Sequence, residues 1–368
     1  MYKNDKRVVM TLDAGGTNFV FSAMQGGRVI VPPVSEKAVS DDLEGCLGVL
    51  VDGFRKIYAS LPAAPDAISF AFPGPADYRH GVIGHLPNFP AFAGGGIPLG
   101  PYLEDVFNLP VFINNDGNLF AYGEALCGKL PEINSMLALR GSSRVYRNLI
   151  GITLGTGFGA GVVVNGVLLD GDNGCGGDVW CMQNSIYPER IAEESVSIRA
   201  VKRVYGELSG TDASSLTPKD IYDIAEGTVP GDRKAAVESF SEFGRAAGNA
   251  IVHALDIVDG LVVVGGGVSG ASKYIFPGIL GEMRRSLTTF AGASFPCLQA
   301  KVYDLTCADG LEAFLKDETP MVEVPGSGRK VPYAEEKKTG IALSAVGANE
   351  AIALGAYAFA LAQLDSKR

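Results

Sequence analysis

The residues best suited to chemistry stand in four short segments rich in glycine or asparagine. Asp13-Ala14-Gly15-Gly16-Thr17-Asn18 follows the apolar run Val8-Val9-Met10-Thr11-Leu12. A strand ending there delivers a carboxylate, then two amides with no Cβ in the way, then a hydroxyl. That set can cradle a nucleotide phosphate. Asp13 is placed to hold Mg²⁺ through water, because Mg²⁺ keeps most of its own water shell. A plain hairpin turn with a solvated Asp reads the same way. Gly155-Thr156-Gly157-Phe158-Gly159-Ala160-Gly161 is a second amide-rich turn, suited to the outer phosphates from the opposite side. Neither turn fits GxxxxGK[ST], so a P-loop is excluded. A dinucleotide fold needs a helix directly after such a turn. Here Val162-Val163-Val164-Asn165-Gly166 continues as strand and hairpin.

The third segment, Gly265-Gly266-Gly267, ends the apolar run Leu261-Val262-Val263-Val264. Three glycines there let a flat adenosine approach the backbone, and a tight strand-to-helix turn needs them equally. The fourth is Asn114-Asn115-Asp116-Gly117-Asn118, between a predicted strand and a predicted helix. A carboxylate at a helix start is stabilised by the helix dipole, so Asp116 reads as an N-cap. It also reads as the base that orients and deprotonates an attacking hydroxyl in phosphoryl transfer. The flanking asparagines carry the donors and acceptors that sugar hydroxyls need.

A weak internal repeat positions these segments. Residues 8–31 and 149–169 each read as strand, Gly/Thr turn, strand, short glycine turn, strand, with Thr11-Leu12-Asp13 matching Thr153-Leu154-Gly155. Duplicated units of this kind predict two similar α/β lobes. Ser40-Asp41 caps a predicted helix to about Ser60. Residues 67–77 and 109–116 read as strands, and about 117–127 as a helix. Thr217-Pro218 opens a helix, residues 231–258 form a long one, and 349–364 form a helix of small residues. Residues 316–340 read as a surface insertion, a hairpin turning at Pro325-Gly326-Ser327-Gly328.

Bulk composition narrows the partners. A net charge of −10 and a pI of about 4.9 leave no basic surface for nucleic acid. No run of 18 apolar residues predicts a membrane span. MYKNDKRVVM leads into a strand without a signal-peptide pattern, and the six cysteines include no CxxC pair. A reducing, cytoplasmic setting is therefore expected.

Taken in order, the motifs resemble the ROK sugar kinases, a family named for repressor, open reading frame and kinase. DAGGTN (13–18) looks like the family's first phosphate motif. FPGPAD (72–77), PNFP (87–90) and NNDGNLFAYGE (114–124) look like its sugar and catalytic segments. LGTGFGAG (154–161) looks like its second phosphate motif, and VVVGGGVS (262–269) like its adenosine strand. The resemblance implies a two-lobed, actin-like or ribonuclease H-like ATPase fold with an interlobe active-site cleft. It implies ATP-dependent phosphorylation of a hexose-type sugar, at O6, with Mg²⁺. Asp116 falls on the catalytic base. Asn88 and Asn115 fall on sugar contacts, Gly15, Gly16, Thr17, Gly155, Thr156 and Gly157 on phosphate contacts, and Gly266 and Gly267 on the adenosine loop.

The chain then departs from the family pattern, which reads GAAGEIGH followed by a cysteine-rich zinc loop. Here the stretch is Gly174-Cys175-Gly176-Gly177-Asp178-Val179-Trp180-Cys181. Asp178 stands where the resemblance puts a sugar-binding Glu, and Cys181 where it puts a His that touches both sugar and zinc. The other zinc cysteines are missing, so no zinc site is expected. Glu193 matches the second sugar-binding Glu, because Ser197 follows at the family's spacing, and Glu194 is the alternative. Trp180 is read as core packing, with stacking on a sugar face as its other role.

The lobes are expected at 1–128 plus 346–368 and at 129–345. A small-molecule sugar and ATP are the expected partners, and a homodimer is compatible with the reading. The alternative to this reading is an N-acyl-hexosamine kinase or fructokinase, or a catalytically weak sugar-sensing regulator. A sugar-sensing repressor would need an N-terminal DNA-binding segment, and Asp13 comes too early to leave room for one.

Overall fold

The structure, a computed structural model, describes residues 2–15, 17–86, 89–316 and 319–366. Two of the expected site residues, Gly16 and Asn88, lie outside that set.

Strands β1 (Val9–Ala14), β2 (Asn18–Gln25) and β3 (Arg28–Val29) form an antiparallel meander, and β4 (Val34–Lys37) returns along β2. Helix α1 (Leu43–Ser60) follows. Its N-cap is Asp42, whose carboxylate accepts from the Gly45 amide at 2.7 Å, one residue beyond the Ser40-Asp41 expected. Strand β5 (Ala67–Ala71) runs parallel to β1. A small ribbon, β6 (Ala76–Asp77) with β7 (Val82–Ile83), and helix α2 (Leu99–Phe107) lead to β8 (Val111–Asn114), parallel to β5. Helix α3 (Asp116–Leu126) starts directly after β8.

Helix α4 (Lys129–Leu139) precedes the second meander, β9 (Leu149–Leu154), β10 (Phe158–Val164) and β11 (Val167–Leu168). Three helices follow, α5 (Ile198–Ser209), α6 (Pro218–Glu226) and α7 (Arg233–Val258). Thr217 and Asp220 form the capping box of α6, with Pro218 at its first position. Next come β12 (Leu261–Gly265), α8 (Ser272–Met283), the ribbon β13 (Ser286–Thr288) with β14 (Ser294–Pro296), β15 (Lys301–Asp304) and α9 (Ala308–Leu315). The ribbon β16 (Met321–Glu323) with β17 (Lys330–Pro332), strand β18 (Lys338–Leu343) and helix α10 (Ala348–Ser366) end the chain.

The two sheets repeat one plan. The first runs β3-β2-β1-β5-β8, and the second β11-β10-β9-β12-β18-β15. In each, a meander is extended on one side by parallel strands. The repeat seen in the sequence is therefore a repeat of sheet-building units.

Packing divides the chain into two compact units, Met1–Gly128 with Gly161–Gly177 and Val346–Arg368, and Lys129–Ala160 with Asp178–Ala345. Residues 161–177, read from the sequence as part of the second lobe, pack with the first unit. In the first unit a chain of ring contacts, edge-to-face except for the tilted Phe54–Phe70 pair, runs from Phe21 against Phe54, 5.0 Å apart, to Phe72 against Phe92, 5.1 Å apart. Helix α10 is tied to the same unit by the Tyr357 hydroxyl, which accepts from the Gly26 amide at 2.8 Å, and by Asp365, which pairs with Arg7 at 2.6 Å.

Within the expected 316–340 insertion, β16 and β17 form a hairpin that turns over residues 325–328, and its last residues already belong to β18. Glu336 anchors it by accepting from the Tyr303 hydroxyl at 2.6 Å and from Lys301 at 3.0 Å. The Tyr303 hydroxyl, then the Lys301 ammonium, hold the Glu336 carboxyl down at about 2. The nearly buried Lys338 ammonium donates to the carbonyls of Ala313, Phe314 and Lys316, closing the end of α9.

Candidate functional site

In the first unit, Asp13 is the penultimate residue of β1, and the turn to β2 carries Gly15 and Thr17. The Asp13 carboxylate is open to solvent and accepts from the Asn349 amide of α10 at 3.1 Å. Crowding by neighbouring protein atoms still pushes its carboxyl above the ordinary range. Thr17 is exposed, and its carbonyl accepts from the Ala38 amide at 2.9 Å, which ties the turn to the sheet.

The β8–α3 junction differs from the simpler sequence reading. The N-cap is Asn115, whose Oδ1 accepts from the Asn118 amide at 2.6 Å. Asp116 is the first residue inside the helix, and its Oδ1 accepts from the Gly117 amide at 2.9 Å. The carboxylate is thus not consumed as the cap. Part of its surface meets solvent, yet desolvation by the packed junction raises its pKa, against hydrogen bonds from the backbone that lower it. An acid that is open enough to meet a substrate and more basic than usual is suited to accept a proton.

Two further asparagines support this junction. The buried Asn114 accepts from the Asn115 amide at 2.8 Å and from the Asn118 side chain at 3.0 Å. Asn114 also hydrogen-bonds Asp170, whose carboxyl desolvation pushes upward. Both asparagines belong to the Asn114-Asn115-Asp116-Gly117-Asn118 segment singled out in the sequence, Asn114 closing β8 and Asn118 lying in α3. Asp170 had no such signal, since only the β10–β11 meander brings it near.

In the second unit, the β9–β10 turn carries Gly155, Thr156 and Gly157, with Thr156 exposed. Its backbone is held by the Gly155 amide donating to the Gly157 carbonyl at 3.1 Å and the Ile198 amide donating to the Gly155 carbonyl at 3.0 Å. Glu193 completes the clasp. Its Oε2 accepts from the Phe158 amide at 3.0 Å, and its Oε1 pairs with Arg199 at 2.9 Å. Glu194 shares Arg199 at 2.7 Å and faces more solvent. Beyond β12, Gly266 sits at φ 93°, and a Cβ there would lie 2.4 Å from the Leu154 carbonyl. Only glycine fits that position, which locks the turn against β9. The space around Gly267 is open.

Asp178 is half-buried at the head of a single 3-10 turn over Val179–Cys181. Desolvation raises its carboxyl, while a hydrogen bond from the Trp180 side chain lowers it. Trp180 is 41% exposed, which corrects the core role expected of it. The shortened loop that follows is tied by the buried Asn184. Its side chain donates to Ser195 Oγ at 2.9 Å and accepts from the Ile186 and Tyr187 amides at 2.9 and 3.1 Å.

A family model described as the ROK family matches residues 9–318. The chain belongs to the ROK family. Among solved structures, a glucokinase from Parabacteroides distasonis is 59% identical, with a TM-score of 0.88, over 98% of this chain and 99% of that one. A glucokinase from Thermotoga maritima is 25% identical over 79% of this chain and 90% of its own length. A ROK family glucokinase from Streptomyces griseus, solved with glucose and AMPPNP, shares the fold at 18% identity, with a TM-score of 0.60 over 95% and 98% of the two chains. These ROK neighbours carry the actin-like ATPase fold that the motifs implied.

Within this ROK chain the donors available to cations are sparse. Among the described residues no three His, Cys, Asp or Glu side chains stand close enough to hold a metal ion together. Cys181 is exposed, and its thiol donates to the Asp178 carbonyl at 3.1 Å. Mg²⁺ makes a smaller demand, because one carboxylate can hold it through its waters. Asp13, solvent-open and steadied by Asn349, fits that need.

Glu193 makes a separate prediction. Replacing it by Ala leaves the amide of the buried Phe158 without its acceptor, which costs about 1–3 kcal/mol. Glu193→Ala is expected to melt below the parent with no sugar present, measured by calorimetry. A side chain that only touched sugar would leave the melting temperature of the unliganded protein unchanged.

Proposed function

We propose that this chain, an ATP-dependent sugar kinase, phosphorylates O6 of a glucose-type hexose with Asp116 as the base. The Asp116 carboxylate takes the hydroxyl proton while the sugar oxygen forms a bond to the γ-phosphorus. The bond from that phosphorus to its bridging oxygen breaks, and ADP leaves. Gly15, Gly16 and Thr17, with Gly155, Thr156 and Gly157, offer amides and hydroxyls to the phosphates. Gly267 leaves room for adenosine, and Gly266 holds that loop close against β9. Asn88, Asn115, Asp178 and Glu193 are assigned to sugar recognition, with Glu193 also holding the second phosphate turn. Asp13 would hold Mg²⁺ through water, and the ion when bound supplies charge neutralisation on the transferred group.

The observation that carries this reading is the β8–α3 junction. A neighbouring asparagine caps the helix, which leaves an unusually basic carboxylate on its first turn. The close kinship to a glucokinase supports a glucose-type acceptor.

The test is ADP release with Mg²⁺ across glucose, mannose, fructose, N-acetylglucosamine, N-acetylmannosamine and a β-glucoside, with the product located by ³¹P and ¹³C NMR. Glucose is expected to give the highest kcat/KM and a 6-phosphate. A higher value for an N-acyl-hexosamine would replace the substrate assignment. Absence of sugar-dependent ADP release throughout would overturn the kinase reading itself.

A further inference from the structure

We propose that Trp180 is a sugar-contacting residue that also positions Asp178, the two together forming the platform on which the acceptor sugar rests. This rests on the sugar-kinase reading above and identifies how this chain recognises its acceptor.

An indole offers a flat apolar face and a polar N–H edge, so a partly exposed one can contact a ligand that has both kinds of surface. Trp180 is 41% exposed, and it is the only Trp in the chain. Its exposure is built in by the local backbone. Asp178, Val179 and Trp180 lie on one tight turn, and Val179 is 2% exposed, so the middle residue is the anchor. The turn is closed by the Met182 amide donating to the Val179 carbonyl at 3.1 Å. With Val179 pointing in, Trp180 is turned out while Asp178 stays half-buried beside it.

Desolvation raises the Asp178 pKa, and the indole N–H, a donor only, lowers it through its interaction with the carboxylate. A hexose presents an apolar C–H face and an edge of hydroxyls. A flat ring takes the face, and a carboxylate beside it accepts from two hydroxyls. The loop after this turn leads back to the clasp residue. The Ala192 amide donates to the Met182 carbonyl at 2.8 Å, and Gln183 bridges to Ile191. The Trp180 turn and the Glu193 turn are therefore joined through a loop tied by Asn184. In this chain, hydrogen bonds hold the two candidate sugar carboxylates to one frame, and the indole lies at its edge.

The single Trp makes the test direct. Emission of the wild-type protein is followed as glucose is added without ATP. Steady-state KM values for glucose and for ATP, with melting temperatures, are measured for the wild type, Trp180→Phe and Trp180→Ala. Emission is expected to change saturably. Trp180→Ala is expected to raise the glucose KM at least tenfold while the ATP KM and melting temperature hold. Trp180→Phe, which keeps a ring but loses the N–H, is expected to fall between. The proposal is overturned if the wild type phosphorylates glucose while its emission stays flat and both variants keep the parental glucose KM. Absence of sugar-dependent ADP release from the wild type would instead bring down the kinase reading beneath it.

Discussion

Asp116→Asn is expected to lower kcat about 10²–10⁴-fold, the usual contribution of a positioned general base, without lowering the melting temperature. The substitution is nearly isosteric, and the Asn Oδ1 can still accept from the Gly117 amide as Asp116 does at 2.9 Å. What disappears is the charge. Desolvation raises the Asp116 pKa in the folded protein above its unfolded value. The sign follows from linkage. An acid with a raised folded pKa opposes folding once it is ionised, so its penalty is fully present above the folded pKa. The penalty fades as pH falls through that value toward the unfolded one. At neutral pH the neutral variant escapes it, so its melting temperature should equal or exceed the parent's, and the two should converge in acid. Catalysis runs the other way. The parent's kcat should fall as pH drops through the raised pKa, and the variant's residual rate should lack that limb. Near-parental turnover would remove Asp116 from the mechanism. A lower melting temperature at neutral pH would make it a structural residue. A group that weakens the fold in the form its chemistry requires is the pattern expected at a working site.

Why some of this was legible follows from the range of the forces involved. Turns and caps are set by residues close in sequence. Thr217 and Pro218 open α6, and the hairpin turn over 325–328 lies where its Pro and Gly residues put it. The duplicated meanders were visible because alternating strands and glycine turns are local patterns repeated at two places. What escaped depends on atoms distant in sequence. The cap at the β8–α3 junction belongs to Asn115, although Asn and Asp cap about equally well and only the path out of β8 decides between them. Hydrophobicity argues for burying Trp180, but Val179 takes the inward position on a three-residue turn and leaves the indole partly exposed. Asp170 reaches Asn114 only after β10 and β11 have folded back. The pKa shifts on Asp13, Asp116 and Asp178 arise chiefly from desolvation. Composition has no access to that quantity before the chain is packed.

The same substitution made at two helical glycines should give opposite results, and the difference reports how α3 is held. In α10, a Cβ at Gly355 would lie 1.8 Å from the Leu119 carbonyl oxygen of α3. The contact is reciprocal, since a Cβ at Gly123 of α3 would lie 2.0 Å from the Ala351 carbonyl of α10. Both obstacles are backbone, so no rotamer change relieves them and the helices must separate. In α8, by contrast, a Cβ at Gly281 meets nothing within 4 Å. Helix propensity favours Ala over Gly by about 1 kcal/mol at either site. At Gly281 that preference is unopposed, and Gly281→Ala is expected to stabilise the protein by about 0.5–1 kcal/mol. At Gly355 the overlap outweighs it, and Gly355→Ala is expected to destabilise by about 3 kcal/mol, the upper part of the overpacking range. Denaturant unfolding of the two variants decides the point, with equal shifts in the same direction counting against close helix contact. The effect should extend to turnover, because α3 begins at Asp116 and cannot move away from α10 without moving its own first turn. Gly355→Ala should therefore lose kcat even at temperatures where it remains folded, while Gly281→Ala keeps it. The small residues of the last helix then have a definite task, which is to let two backbones touch so that one carboxylate stays in place.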